Sequence, residues 1–132
     1  MFDQYRQFYG RPSDVEACGE FLRNRLSRDD SALFMAWTDE VPVGFLQLYP
    51  SFSSVSLARI FVLNDLFVHP QARRQGVASR LISAAIEFAR SSGAIRVSLS
   101  TAVSNESAQA LYQTLGWKRD QEFLVYHFGV PA

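Results

Sequence analysis

Phe2, Tyr5, Phe8 and Tyr9 recur at helical spacing, and Gly10-Arg11-Pro12 ends the run, which predicts a first short helix over residues 2–9. Ser13 with Glu16 three positions on has the form of a capping box. It opens a second helix whose apolar stripe is Val15, Cys18, Leu22 and Leu26. The period then changes. Residues 32–37 (ALFMAW) and 43–49 (VGFLQLY) read as strands joined by a turn over 38–42, and 50–56 as a Ser-rich loop. A long, mostly apolar strand over 57–68 carries two polar residues, Asn64 and Asp65, and stops at Pro70. Helical spacing returns from residue 77 to about residue 92, with Leu81, Ile82, Ala85, Ile86 and Ala89 inward and Gly93 as its stop. Residues 95–101 read as another strand, and Asn105 caps a short helix ending at Gly116. The stretches 117–119 and 123–128 are expected to close the sheet as an antiparallel pair.

The strand-helix-strand unit over 57–101 is long enough for a right-handed crossover, so those two strands are expected to be parallel neighbours. The class is α/β with a mixed, mostly antiparallel sheet flanked by helices. A length of 132 residues suits one domain, expected over 1–132. With 48% hydrophobic residues and eleven Phe, the chain can supply a sizeable core. Formal net charge is zero, so the electrostatic footprint of a general nucleic-acid or acidic-membrane binder is absent. No stretch approaches the ~20 apolar residues of a membrane span, and the start Met1-Phe2-Asp3 has no signal-peptide pattern. Cys18 is the one cysteine; it reads as a small core residue in a reducing, cytoplasmic setting.

The sharpest chemical signal is Arg73-Arg74-Gln75-Gly76-Val77-Ala78, between a strand and a helix. Unpaired amides and the positive dipole end at a helix N-terminus bind phosphate. Gly76 permits close backbone approach, and Arg73 and Arg74 supply charge-assisted bonds to a pyrophosphate. Neither G-x-x-x-x-G-K-S/T nor G-x-G-x-x-G occurs.

The segment from Leu66 through Ala78 resembles the signature of GNAT acetyltransferases, an apolar strand followed by R/Q-x-x-G-x-G/A on a turn into a helix. A second block, Asn105, Ala108, Leu111-Tyr112 and Gly116-Trp117, is similar to the family's N-x-x-A-x-x-L-Y-x-x-x-G-F/W. The resemblance runs from about residue 13 to the C-terminus. Within the family, Leu63-Asn64-Asp65-Leu66-Phe67-Val68 looks most like the diamine and histone/polyamine groups. It implies an acetyl-coenzyme A-dependent N-acetyltransferase acting on a primary amine of a small molecule or peptide. The amides of 73–78 would then hold the coenzyme A pyrophosphate. The stretch Leu66-Phe67-Val68 would bind the acetyl-pantetheine arm, with the backbones of Leu66 and Val68 pairing to it as to an added strand. Asn105 would bond the arm. Tyr112 takes the general-acid position at the leaving thiolate, which a phenol of ordinary pKa near 10 suits.

The amine's proton needs an acceptor. Asn64 stands where diamine acetyltransferases commonly carry Glu, and an amide is no base. Asp65 is the nearest carboxylate, though strand alternation sends it to the opposite face; its bland role is to anchor the strand. Glu106, Asp39 and Glu40 are further carboxylates without positional support. Tyr5, Tyr9, Tyr49 and Phe52 are either core or the lining of an amine pocket. His69 and His127 lack metal-ligand spacing, so no metal is expected. Two rival readings keep the fold: a catalytically silent coenzyme A-binding module, favoured by Asn64, and an aminoacyl-tRNA acetylating toxin, disfavoured by the zero charge. Family members usually begin with a strand before the first helix, which has no counterpart here. The edge of strand 32–37 is therefore expected to be bare, and a homodimer is expected to cover it.

Overall fold

The computed structural model describes residues 1–132 and resolves two compact units, Met1–Ser100 and Thr101–Ala132. The first holds α1 (Phe2–Phe8), α2 (Val15–Ser27), β1 (Ala32–Thr38), β2 (Val41–Ser53), β3 (Ala58–Val68), a 3-10 turn (Pro70–Ala72), α3 (Val77–Ser91) and β4 (Val97–Ser98). The sheet order is β1-β2-β3-β4. β1/β2 and β2/β3 are antiparallel and β3/β4 is parallel, the mixed sheet and crossover that the sequence predicts.

Seven residues are too few for a stable isolated helix, so α1 depends on packing. The Phe2 and Tyr5 rings lie 5.8 and 5.5 Å from Phe45, and Tyr5 lies 6.2 Å from Phe67. Asp3 ties α1 to α2 by accepting from the Ser13 hydroxyl and the Asp14 amide, each at 2.7 Å. Those two bonds, the amide first, hold the Asp3 carboxyl below the usual carboxylate range. With its hydroxyl donated to Asp3, Ser13 is not the helix cap. Asp14 is, accepting from the Ala17 amide at 3.0 Å. The buried line of α2 is also narrower than its sequence stripe. Cys18 faces Asp3 and Arg6, and Phe21 stacks on Phe2 at 6.0 Å, which leaves Val15 and Leu26 in solvent.

Asp39 and Glu40 both have positive φ, 48° and 68°, the pattern of a two-residue turn whose twist matches the flanking strands. β2 continues to Ser53, so most of the expected Ser-rich loop is strand, and only 54–57 turns into β3. Successive β2 side chains point to opposite faces. Phe45 lies under α1, whereas Gly44 faces α3. A Cβ on Gly44 would sit 2.9 Å from the Phe67 carbonyl and 3.2 Å from Val77, so α3 can approach only a glycine. Leu46, Leu48, Phe61 and Leu63 with Val77, Leu81, Ile82, Ala85 and Ala89 form the main core. Each of its fully buried leucines contributes about 2 kcal/mol. Ile86, expected inward, is 41% exposed.

β4 is two residues long rather than the expected seven over 95–101. β1 pairs only with β2, so its outer edge is unpaired here. The second unit is built on α4 (Glu106–Thr114). Residues 117–132 form no strand, against the expected closing pair. Asp120 instead accepts from the Glu122 and Phe123 amides at 2.9 and 3.2 Å, a local turn that competes with extension.

Candidate active site

Two features of the first unit meet at the C-terminal end of β3. Pairing with β4 ends at Val62↔Ser98, yet β3 runs on to Val68. The His69 amide donates to the Val43 carbonyl at 2.8 Å. Antiparallel alternation then turns the polar groups of Phe67 and Asp65 toward β2 and those of Leu66 and Val68 toward the open side. That edge is a template for an added extended group. The Arg73 Nε donates to the Val68 carbonyl at 3.1 Å, which draws the following turn back against the edge.

The turn itself is tight. Arg74 and Gly76 both adopt left-handed backbone, φ 62° and 76°. Gly76 is the N-cap of α3, and no side chain caps that helix. The amides of its first turn are therefore left to an external acceptor or water. Arg73, Arg74, Gln75 and Gly76 are exposed around them, with Val77 buried and Ala78 half-buried. Exposed backbone donors, a helix dipole and two neighbouring arginines are the kinds of group that suit a phosphate.

Between edge and core, β2 and β3 slip register. Gln47 pairs with Asp65 and the next residue, Leu48, pairs with Leu63, so Asn64 is the extra residue of a β-bulge. The bulge overrides strand alternation. Asn64 and Asp65 do not diverge to opposite faces; the Asn64 amide donates to Asp65 Oδ1 at 3.0 Å. Gln47 donates to Asp65 Oδ2 at 2.8 Å and accepts from the Ser31 hydroxyl at 2.6 Å. Gln47 and Asp65 are buried and Asn64 is exposed. The Tyr5 hydroxyl donates to the Asn64 carbonyl at 3.3 Å. Ser31 and Gln47 are the members of this cluster that sequence reasoning missed. The one available signal was a Gln inside the apolar run VGFLQLY.

Tyr49, on the same face as Gln47, is pushed up to about 12 by burial and then by the negative charge of Asp65. A raised phenol pKa means that the fold favours the protonated form. Its contribution to stability is complete below pH ~10, the unfolded value, and is lost as pH rises towards about 12. Denaturant midpoints followed across that window should fall more steeply in the wild type than in Tyr49→Phe. Parallel curves would show that Tyr49 does not sense the fold.

In the second unit, Asn105 Oδ1 accepts from the Ala108 amide at 3.2 Å, the expected cap of α4. Tyr112 lies seven residues further on, so both stand on one face of the helix. The helix ends in a Schellman motif, with Trp117 N to Tyr112 O at 2.9 Å and Gly116 N to Gln113 O at 3.1 Å. This brings the Trp117 ring to 5.9 Å from the Tyr112 ring. The spacing of Tyr112, Gly116 and Trp117 is thus a helix-stop device that also fixes the tyrosine ring. The other carboxylates lie elsewhere. Asp39 and Glu40 sit at the β1–β2 turn, and Glu106 is in the first turn of α4. No group of three His, Cys, Asp or Glu side chains is placed to hold a metal ion.

A model of the acetyltransferase (GNAT) family matches residues 1–117. The chain belongs to the GNAT acetyltransferase family. The match begins a helix earlier than the sequence resemblance and ends short of the C-terminus. The chain is 44% identical over 132 residues to the uncharacterized N-acetyltransferase YhfO of Bacillus subtilis, covering 100% of this chain and 89% of that one. A crystal structure of a probable acetyltransferase superimposes with a TM-score of 0.93 at 45% identity, covering 99% of this chain and 88% of the other. The aminoglycoside acetyltransferase AAC(6')-Iy, solved with the bisubstrate analogue CoA-S-monomethyl-acetylneamine, gives 0.73 at 26% identity, covering 92% and 83%. Acetyl transfer to an amine is the general reaction of this GNAT protein, and acetyl-coenzyme A is the family's acetyl donor. None of its helices is long and apolar enough to cross a membrane.

Proposed function

We propose that this GNAT protein transfers the acetyl group of acetyl-coenzyme A directly to a primary amine of a polyamine-like small molecule or a peptide. The observation that carries the reading is the open edge of β3 running into an α3 N-terminus that no side chain caps. The amides of 73–78, with Arg73 and Arg74, hold the pyrophosphate. Leu66 and Val68, on either side of Phe67, present the strand edge to the acetyl-pantetheine arm, and Asn105 bonds that arm. The amine attacks the thioester carbon, the carbon–sulfur bond breaks, and Tyr112 gives its proton to the departing sulfur. Asn64 marks the reacting end of the edge. The amine's proton leaves toward Asp65, through water beside Asn64. Cys18 is buried in α2 against Asp3 and Arg6, which argues for direct transfer over a covalent cysteine intermediate. The single cysteine also suits a cytoplasmic protein.

An acetyl-coenzyme A consumption screen over polyamines, aminoglycosides, amino acids and histone-tail peptides tests the reading. Amine-dependent thiol release with a subset of these is expected. A folded protein that binds coenzyme A yet turns over none of them is the silent binding module, the outcome that Asn64 in place of a carboxylate favours.

The unpaired outer edge of β1 supports a two-fold dimer. Sedimentation equilibrium at micromolar concentration should give the dimer mass, and a single monomeric species would refute it.

A further inference from the structure

We propose that Gln47 is a positioning residue for acetyl transfer, acting through Asp65 on the bulged Asn64. The inference rests on the acetyltransferase reading above. Gln47 has no exposed surface and lies between Leu46 and Leu48, also fully buried, in a strand where an apolar residue would satisfy packing. A buried amide is retained at a cost unless both its ends are bonded, and here both are. Its oxygen accepts from Ser31 and its nitrogen donates to Asp65. Asp65 sets the amide's direction, because reversed the amide would turn its oxygen toward a carboxyl oxygen, whereas the Ser31 hydroxyl can donate or accept.

Asp65 in turn is buried beside Gln47 and has a donor on each of its oxygens. Gln47 serves Oδ2 and Asn64 serves Oδ1. The chain of bonds therefore ends on the one residue of β3 left out of the β2 register. A bulged residue is left unpaired by the ladder, so neighbouring side chains can decide its conformation. Asn64 is held by Asp65 at its side chain and by the Tyr5 hydroxyl at its carbonyl. Two residues before Asn64, pairing with β4 has ended. The bulge thus stands where the open edge begins, and its shape sets how a group laid along that edge presents its reacting end. Misplacement of reacting groups by about 1 Å can cost on the order of 10²-fold in rate.

The test is Gln47→Met, which keeps the volume and removes both bonds. With the full chain and an accepted amine, kcat should fall tenfold or more (on the order of the positioning losses above). The coenzyme A Kd by calorimetry should stay within about twofold, because residues 73–78 are untouched. A merely structural role would lower the melting temperature and move kcat and Kd together or not at all. Combining Gln47→Met with Ser31→Ala should be no slower than Gln47→Met alone, since both act along one chain of bonds. A folded Gln47→Met with wild-type kcat, or multiplicative losses in the double variant, would overturn the inference. If Gln47→Met does not fold, Ser31→Ala is read in the same assay. A fall of threefold or more supports the relay, and a smaller change overturns it. A wild-type protein that binds coenzyme A but transfers no acetyl overturns the acetyltransferase reading and this inference with it; an active wild type with an unaffected Gln47→Met overturns this inference alone.

Discussion

Gly76→Asp should abolish acetyl-coenzyme A binding and leave the protein folded. A Cβ at Gly76 meets only the tip of Arg80, at 3.8 Å, so packing does not oppose the substitution. The cost to the fold is the left-handed backbone, φ 76°, about 1 kcal/mol for a non-glycine residue. An aspartate at an N-cap offsets much of that by accepting from first-turn amides and complementing the helix dipole. Those same amides are the proposed phosphate donors, and a fixed carboxylate there both occupies and repels the pyrophosphate. Titration calorimetry should show at least a hundredfold loss of affinity, about 2.7 kcal/mol. Gly76→Ala, which adds the strain without the charge, should lose far less. Unchanged affinity in a folded Gly76→Asp protein would mean that the coenzyme binds elsewhere.

The second large effect is expected at Tyr112. Replacing it with Phe removes the hydroxyl and keeps the ring. The Schellman bonds of residues 116 and 117 involve backbone atoms only, and a Phe ring can keep the contact with Trp117. The loss should therefore appear in chemistry. Turnover should drop on the order of 10²-fold or more, as for removal of a general acid, while coenzyme A affinity changes little. Steady-state kinetics beside calorimetry separates the two. An unimpaired Tyr112→Phe would return this tyrosine to an ordinary packing role on α4.

Much of this architecture is legible in local sequence because the signals are local. The α3 stripe of Leu81, Ile82, Ala85 and Ala89, the stop at Pro70 and the Asn105 cap each depend on residues within one or two turns, and each stands as the sequence predicts. The misses at Ser13 and Asn64 share one cause: they depend on what lies opposite. Ser13 resembles a cap until Asp3 of α1 takes its hydroxyl and Asp14 serves instead. The bulge at Asn64 exists only in the register of β2 against β3, so a period-two reading of one strand sends Asn64 and Asp65 to opposite faces. Apolar residues over 123–128 carry strand propensity, but propensity forms a strand only against a partner. At the site, the tight turn into α3 was readable as a motif. The buried relay from Ser31 through Gln47 to Asp65 was not, because a lone Gln in an apolar strand does not disclose its partners.

Product analysis tests the central claim most directly. The protein is incubated with acetyl-coenzyme A and an accepted amine, and free thiol and N-acetylated amine are quantified together by mass spectrometry. Direct transfer predicts equal amounts of the two products, dependence on the amine, and no acetylated Cys18 at any time. Thiol release without N-acetylated product, or an acetyl-Cys18 protein that goes on to acetylate the amine, would contradict it.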